Sequence, residues 1–176
     1  MDSLVNQKIT SFLWFSREAE EAMQYYVRVF NESPYSSRSS RIISITRYEK
    51  GIETPQGPEM EGKVLTGVFE LEGVRLMCLD GGDYFKFNEA ISLYLNCRDQ
   101  KEVDYFWSKL SHVPESEKCG WVKDKFGLSW QIIPERMMEL LYDRDKEKSH
   151  RVANAMLQMK KINIKELERA YEELRV

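Results

Sequence analysis

The side chains with nucleophilic or metal-ligating chemistry are few here, and their spacing gives them little to work with. Of the three cysteines, Cys78 and Cys97 sit inside apolar strand patterns, where a thiol behaves as a small core residue. Cys119 precedes Gly120 and Trp121, and local sequence places no histidine or carboxylate beside it as an activating base, so it reads as an unreactive thiol in a strand. The two histidines are His112, after a helix, and His150, in the tail. Glu20-Glu21 and Glu135 lie at helix starts, where carboxylates cap or solvate. Gly81-Gly82 follows a strand, but no amphipathic helix opens after it. The glycine-rich turn that commonly holds an adenosyl donor is therefore missing, and the doublet reads as a linker.

The elements that must position any site are written twice. Thr10–Phe15 lines up with Ser92–Cys97 at an offset of 82 residues, and the helix core Glu21–Tyr26 with Glu102–Trp107 at 81. The hairpin segments Gly73–Leu79 and Gly127–Ile133 follow at 54. One order repeated at slipping offsets indicates two copies of one supersecondary unit, the second shorter by 27 residues.

Ile9–Phe15 predicts a strand, and Ser16 is placed to cap a helix carrying Ala19, Ala22, Met23, Tyr26, Val29 and Phe30 at helical spacing. Arg41–Tyr48 predicts a strand, and Lys63–Leu71 with Val74–Leu79 a hairpin turning at Glu72-Gly73. Ala90–Cys97 opens the second copy, and Asp99 with Glu102 has capping-box spacing for a helix to about Ser111. Cys119–Asp124 and Leu128–Ile133 predict the second hairpin. The expected organisation is residues 1–83 for the first βαβββ module, 84–134 for a compressed second one, and 135–176 for a helical extension. In that extension Arg136–Tyr142 predicts a short helix, and Lys146–Lys161 an amphipathic one with Val152, Ala155, Met156 and Met159 on one face. Asn163 and Glu166 predict a capped final helix with Leu167, Ala170, Tyr171 and Leu174. The methionine stripe reads as core or subunit packing.

Composition excludes some partner classes. Apolar residues at 42%, charged residues at 31% and a net charge of −3 leave no electrostatic footprint for nucleic acid or an anionic membrane. No stretch approaches the roughly 18 apolar residues of a membrane span, and Met1–Lys8 carries no basic segment leading into an apolar run, so a cytoplasmic location is expected.

Phe85–Ile91, Asp99–Asp104 with Trp107, and Cys119–Pro134 resemble the PhnB-like branch of the vicinal oxygen chelate superfamily, which includes glyoxalase I, bleomycin-resistance proteins and extradiol dioxygenases. That branch is often labelled "3-demethylubiquinone-9 3-methyltransferase". The tail Arg151–Ile162 is similar to the same pattern, and the likeness spans residues 8 to 173. It implies an α+β fold of two tandem βαβββ modules whose mixed sheets curl into a cup, with C-terminal helices, and it implies a homodimer. It also implies metal-ligand positions on the first and last strands of each module, which here hold Thr10, Met77, Ser92 and Gln131. Hydroxyls and a thioether compete poorly with water for a hard cation, and only Gln131 could serve as a weak ligand. No metal and no cofactor are expected.

Side chains alternate along strands, so with Ser11, Leu13 and Phe15 toward the helix, Thr10, Phe12 and Trp14 face the cup. With Leu93, Leu95 and Cys97 toward the helix, Ser92, Tyr94 and Asn96 line it. Met77 and Gln131 complete the candidate set, and alternation turns Trp130 to the helix side. Three functional readings follow: a small organic molecule bound in the cup with or without metal-independent catalysis, methyl transfer as the branch label states, or a non-enzymatic homodimeric interaction module.

Overall fold

The computed structural model describes residues 7–173. The N-terminal residues up to Asn6, which carried part of the expectation on targeting, and Leu174 lie outside them. The chain forms two compact units, one ending at Phe87 and the next beginning at Asn88, with the C-terminal helices in the second.

In the first unit, β1 (Phe12–Phe15) leads into α1 (Ala19–Asn31), followed by β2 (Arg41–Arg47), β3 (Val64–Leu71) and β4 (Val74–Asp80). The sheet order is β1-β4-β3-β2, with β1 parallel to β4 and the other pairs antiparallel. The apolar residues expected on α1 are its buried face, and fully burying side chains such as Met23, Val29 and Phe30 contributes about 1.5–3 kcal/mol each. That helix lies close to the sheet because Gly67 has no side chain: a Cβ there would stand 2.7 Å from Met23 Sδ and 2.8 Å from Cys78 Sγ. Glu72 and Gly73 turn the β3–β4 hairpin with φ of 50° and 84°, the two positive φ values that match the right-handed twist of the flanking strands.

The start of α1 departs from the expected cap. Its N-cap position is Glu18, with no side-chain cap, and Ser16 instead donates its hydroxyl to Asp83 Oδ1 at 2.7 Å. The helix-start N–H of Ala19 is satisfied from the sheet, donating to Asp80 Oδ1 at 2.8 Å, while Val64 N donates to Asp80 Oδ2 at 2.9 Å. Nor is Gly81-Gly82 a loose linker. Both residues are buried, and their N–H groups donate to Phe15 O (2.8 Å) and Ser16 O (3.0 Å), extending the parallel β1–β4 pairing.

The second unit runs β5 (Leu93–Cys97), α2 (Gln100–Leu110), β6 (Trp121–Lys123), β7 (Ser129–Pro134), α3 (Glu135–Leu141), α4 (Lys146–Leu157) and α5 (Ile164–Glu172). Its sheet order is β5-β7-β6, again with first and last strands parallel. The fold class stands as α+β with two small mixed sheets and C-terminal helices, but this unit has three strands, where a second βαβββ was expected. The stretch between α2 and β6, residues 111–120, holds a 3-10 turn at Pro114–Ser116 and is too short for the counterpart of β2 and its return. Cys119 and Gly120 take φ of 50° and 86°, so β6 begins at Trp121 and Cys119 lies in a turn outside the strand expected for it.

The expected caps of α2 and α5 are present. Asp99 accepts from Glu102 N at 2.9 Å while Glu102 Oε2 accepts from Arg98 N at 2.9 Å, and Asn163 accepts from Glu166 N at 3.3 Å. The helical tail buries Met137, Leu140, Val152, Ile162 and Leu167 with Ile133 of β7, and Met156 and Met159 of the methionine stripe pack against that cluster. Its backbone accepts from the turn before β6, Cys119 N to Met159 O and Gly120 N to Lys160 O, both at 2.8 Å.

Asp80 is 1% exposed, and burial raises its pKa above the ordinary value, although the N–H donors Ala19 and Val64 pull it down. Asp80→Ala leaves two buried N–H groups unpaired and should cost about 2–5 kcal/mol in urea unfolding. Asp80→Asn keeps one acceptor and should cost less. Because folding raises this pKa, the favourable contribution is full below the ordinary aspartate range and is lost as pH rises through the raised folded value. The stability of the native protein relative to Asp80→Asn should therefore fall across that window in urea titrations from acidic to neutral pH. A pH-independent difference would overturn the linkage.

Candidate functional site

Each sheet presents one face to its helix and one away from it, and the candidate residues lie on the second kind. In the first unit Phe12 pairs with Met77, and Met77 with Val68; one step along, Trp14 pairs with Leu79. Phe12 is 48% exposed, while Leu13 and Phe15 are buried, as alternation requires, but Ser11, expected on the helix side, lies ahead of β1 and is exposed. Trp14 is committed to the fold. Its indole donates to Gly82 O at 2.9 Å, its ring meets Phe85 edge-on at 4.9 Å, and a Cβ on Gly81 would stand 2.1 Å from it. Thr10 lies ahead of β1, and its Oγ1 is buried without a hydrogen-bond partner among the described residues.

In the second unit the register aligns Tyr94 of β5, Gln131 of β7 and Trp121 of β6 in one row across the sheet. Gln131 Nε2 donates to Ser92 Oγ at 2.8 Å, bringing together two of the expected residues. Tyr94 is 49% exposed, and burial of part of its ring raises the phenol pKa. At neutral pH it is an O–H donor. Asn96, at the end of β5, donates to Glu135 Oε1 at 3.0 Å and is tied to the start of α3. Trp130 faces the other way: it is 2% exposed, and its indole donates at 2.8 Å to the buried carboxylate of Asp124, which also accepts from Phe126 N and Leu128 N.

Sequence reasoning missed Trp121 and Ser129 on this face. Both share the side of the sheet that Gln131 occupies, since Ser129 is two residues along β7 and Trp121 is the cross-strand partner. Extending the alternation argument from Gln131 to Ser129 would have found the serine. Trp121 needed the β6–β7 register, which the turn at Cys119-Gly120 sets. Lys123, opposite Ser129, forms a short ion pair with Glu89, and that contact lowers the Glu89 pKa.

The four positions that the resemblance implies for metal ligands, Thr10, Met77, Ser92 and Gln131, carry side chains that do not suit a divalent cation. None is anionic or an imidazole, and the Gln131 amide already donates to Ser92. Among the described residues, no group of three or more His, Cys, Asp or Glu side chains is placed to hold a metal ion.

A sequence profile described as 3-demethylubiquinone-9 3-methyltransferase matches residues 7–133 and leaves α3 to α5 outside the match. Among solved structures, a PhnB protein from Bacillus cereus bearing the same family description is 39% identical. The alignment covers 71% of this chain and 97% of that one, with a TM-score of 0.55. The protein PA1353 from Pseudomonas aeruginosa is 17% identical over 71% of this chain and 95% of its own, with a TM-score of 0.53, a likeness of fold alone. No curated relative matches. Described helices include none long and apolar enough to cross a membrane. With the profile spanning most of the chain and the Bacillus cereus relative matched along nearly its whole length, the chain belongs to the PhnB-like, 3-demethylubiquinone-9 3-methyltransferase family of the glyoxalase superfamily.

Proposed function

We propose that this chain is a glyoxalase-like small-molecule-binding protein, or a metal-independent enzyme, whose ligand rests on the open face of the second unit's sheet. The observation that carries the reading is the row Tyr94–Gln131–Trp121 with Ser92 bonded to Gln131. Two aromatic rings flank a pair of neutral hydrogen-bonding groups, the usual composition of a site for an organic ligand. On this surface the protein offers O–H and N–H donors together with carbonyl and hydroxyl acceptors. Such groups orient a polar substituent without charge compensation.

The family description favours methyl transfer to a demethylubiquinone, and this is the second reading. It receives little support from the backbone. Gly81-Gly82 continues the β1–β4 pairing, and the next described helix, α2, starts only at Gln100 after β5. The fold therefore supplies no glycine-rich turn at a helix start for the phosphate-free but ribose-bearing adenosyl donor. Large apolar side chains stay exposed in both units, Tyr84 (67%) and Phe85 (65%) in the first, Ile91 (75%) and Tyr142 (78%) in the second. They support a homodimer, since such surface is what a second copy covers.

Two measurements test the proposal. Elemental analysis of protein purified without chelator should give well under one equivalent of zinc, nickel or manganese, and stoichiometric metal with thermal stabilisation would overturn the metal-independent reading. A thermal-shift screen of neutral organic compounds should return ligands whose binding weakens about tenfold in Tyr94→Ala and Gln131→Ala. Ligands that stabilise both variants as well as the native chain would remove the open face from consideration.

A further inference from the structure

A pocket of about 450 Å³ opens beside β6 in the second unit, and its lining includes Glu89, Lys118, Cys119, Trp121, Val122 and Ser129. Ser129 is its buried polar member, 1% exposed, and the serine Oγ has no hydrogen-bond partner among the described residues. A hydroxyl removed from water and left unpaired carries a desolvation cost that a ligand group inside the pocket would offset. The other buried side-chain atoms in that state, Thr10 Oγ1 and Glu72 Oε1, belong to the first unit.

The rest of the lining selects the ligand's chemistry. Trp121 supplies an aromatic side chain, and Ser116 and Cys119 line the pocket beside it, while Val122 pairs with Trp130 and turns its side chain to the helix side of the sheet. The charged members lie toward solvent: Glu89 and Lys118 are exposed, and Glu89 is engaged by Lys123. A charged ligand would find no unengaged, buried counter-charge, whereas a flat apolar ring with one hydroxyl matches the Trp121 ring and the unpaired Ser129 hydroxyl. The volume suits one or two fused rings.

We propose that this pocket binds a neutral aromatic alcohol of the phenol or naphthol type, with its ring against Trp121 and its hydroxyl on Ser129 Oγ. The assignment rests on the open-face reading, because Trp121 belongs to both, and it names the class of ligand that face takes.

Cys119 is the built-in reporter. Cys78 and Cys97 are fully buried, and burial pushes the Cys78 thiol up to about 12 and the Cys97 thiol above its ordinary value as well. Cys119 is partly exposed and lines the pocket. Iodoacetamide should add one carbamidomethyl group to the native chain, at Cys119, and three after unfolding, read by mass spectrometry. The probes are 2-naphthol and 2-methylnaphthalene, which differ by a hydroxyl in place of a methyl. Naphthol should slow Cys119 labelling at about five- to tenfold lower concentration than the methyl compound.

In Ser129→Ala the two probes should become equal, while unliganded labelling of Cys119 is unchanged and thermal stability is equal or higher, since an unpaired hydroxyl has been removed. Trp121→Leu should weaken both probes together. Equal potency on the native chain, a preference that survives Ser129→Ala, or no protection up to the solubility limit overturns the proposal. Screen ligands that depend on Tyr94 and Gln131 but leave Cys119 labelling unchanged, with no naphthol protection, would overturn this pocket and leave the open-face reading intact. If neither set of compounds binds, both readings fall.

Discussion

A buried carboxylate that pairs with backbone N–H groups is the constraint on which the geometry of each unit depends. In the first, Asp80 ends β4 and holds Ala19 at the start of α1 and Val64 at the start of β3, so one side chain fixes a helix and two strands. In the second, Asp124 holds the β6–β7 turn through Phe126 and Leu128 and fixes Trp130 through its indole. Buried N–H groups without water must find acceptors, and a carboxylate with two oxygens can serve several at once. The burial that makes such an anion costly is accepted because the alternative is two or three unpaired donors.

Beyond those anchors, the sheet face turned from each helix is divided, with Trp14 and Asn96 tied to structural partners and Phe12 and Tyr94 about half exposed. The helices take the other face: α1 uses Leu13, Phe15 and Cys78, and the helix-side residues of the second sheet include Cys97, Trp130 and Ile132. The same alternation that buries them puts Phe12 and Met77, and in the second unit Tyr94, Gln131, Trp121 and Ser129, on the far side. The resemblance to the vicinal oxygen chelate superfamily implies chelation from that side. Here the equivalent positions hold hydroxyls, a thioether and an amide, groups that orient a neutral ligand better than they bind a cation.

The duplication is legible in topology as well as in sequence. Both units keep a first strand parallel to the last and a hairpin joining the final two. The second lost the counterpart of β2 because residues 111–120 give the chain no length to make it. Its sheet is narrower, and the helical tail binds beside it, with Met159 and Lys160 carbonyls taking the N–H groups of Cys119 and Gly120.

The sequence by itself determined most of the elements, though not the three-stranded form of the second sheet, together with their hydrophobic faces, the capped starts of α2 and α5, the turn at Glu72-Gly73 and the side of its strand on which each of Phe12, Met77, Tyr94 and Gln131 lies. Period-two and period-3.6 patterns, caps and turns are local, so a string of residues carries them. Only the tertiary structure decided which groups those side chains meet. Ser16 has the chemistry of a cap, yet Asp80, 61 residues from Ala19, takes that role. Trp14 was legible as a face residue, but its engagement with Gly82 and Phe85 was not. Trp121 came into view only through the register of β6 against β7, which depends on a left-handed turn at Cys119-Gly120 held by the distant tail, and the Ser129 hydroxyl, whose face alternation gives, is seen to be unpaired only in the folded chain. Contacts between residues far apart in sequence are set by the closure of the whole chain, and no local pattern records them.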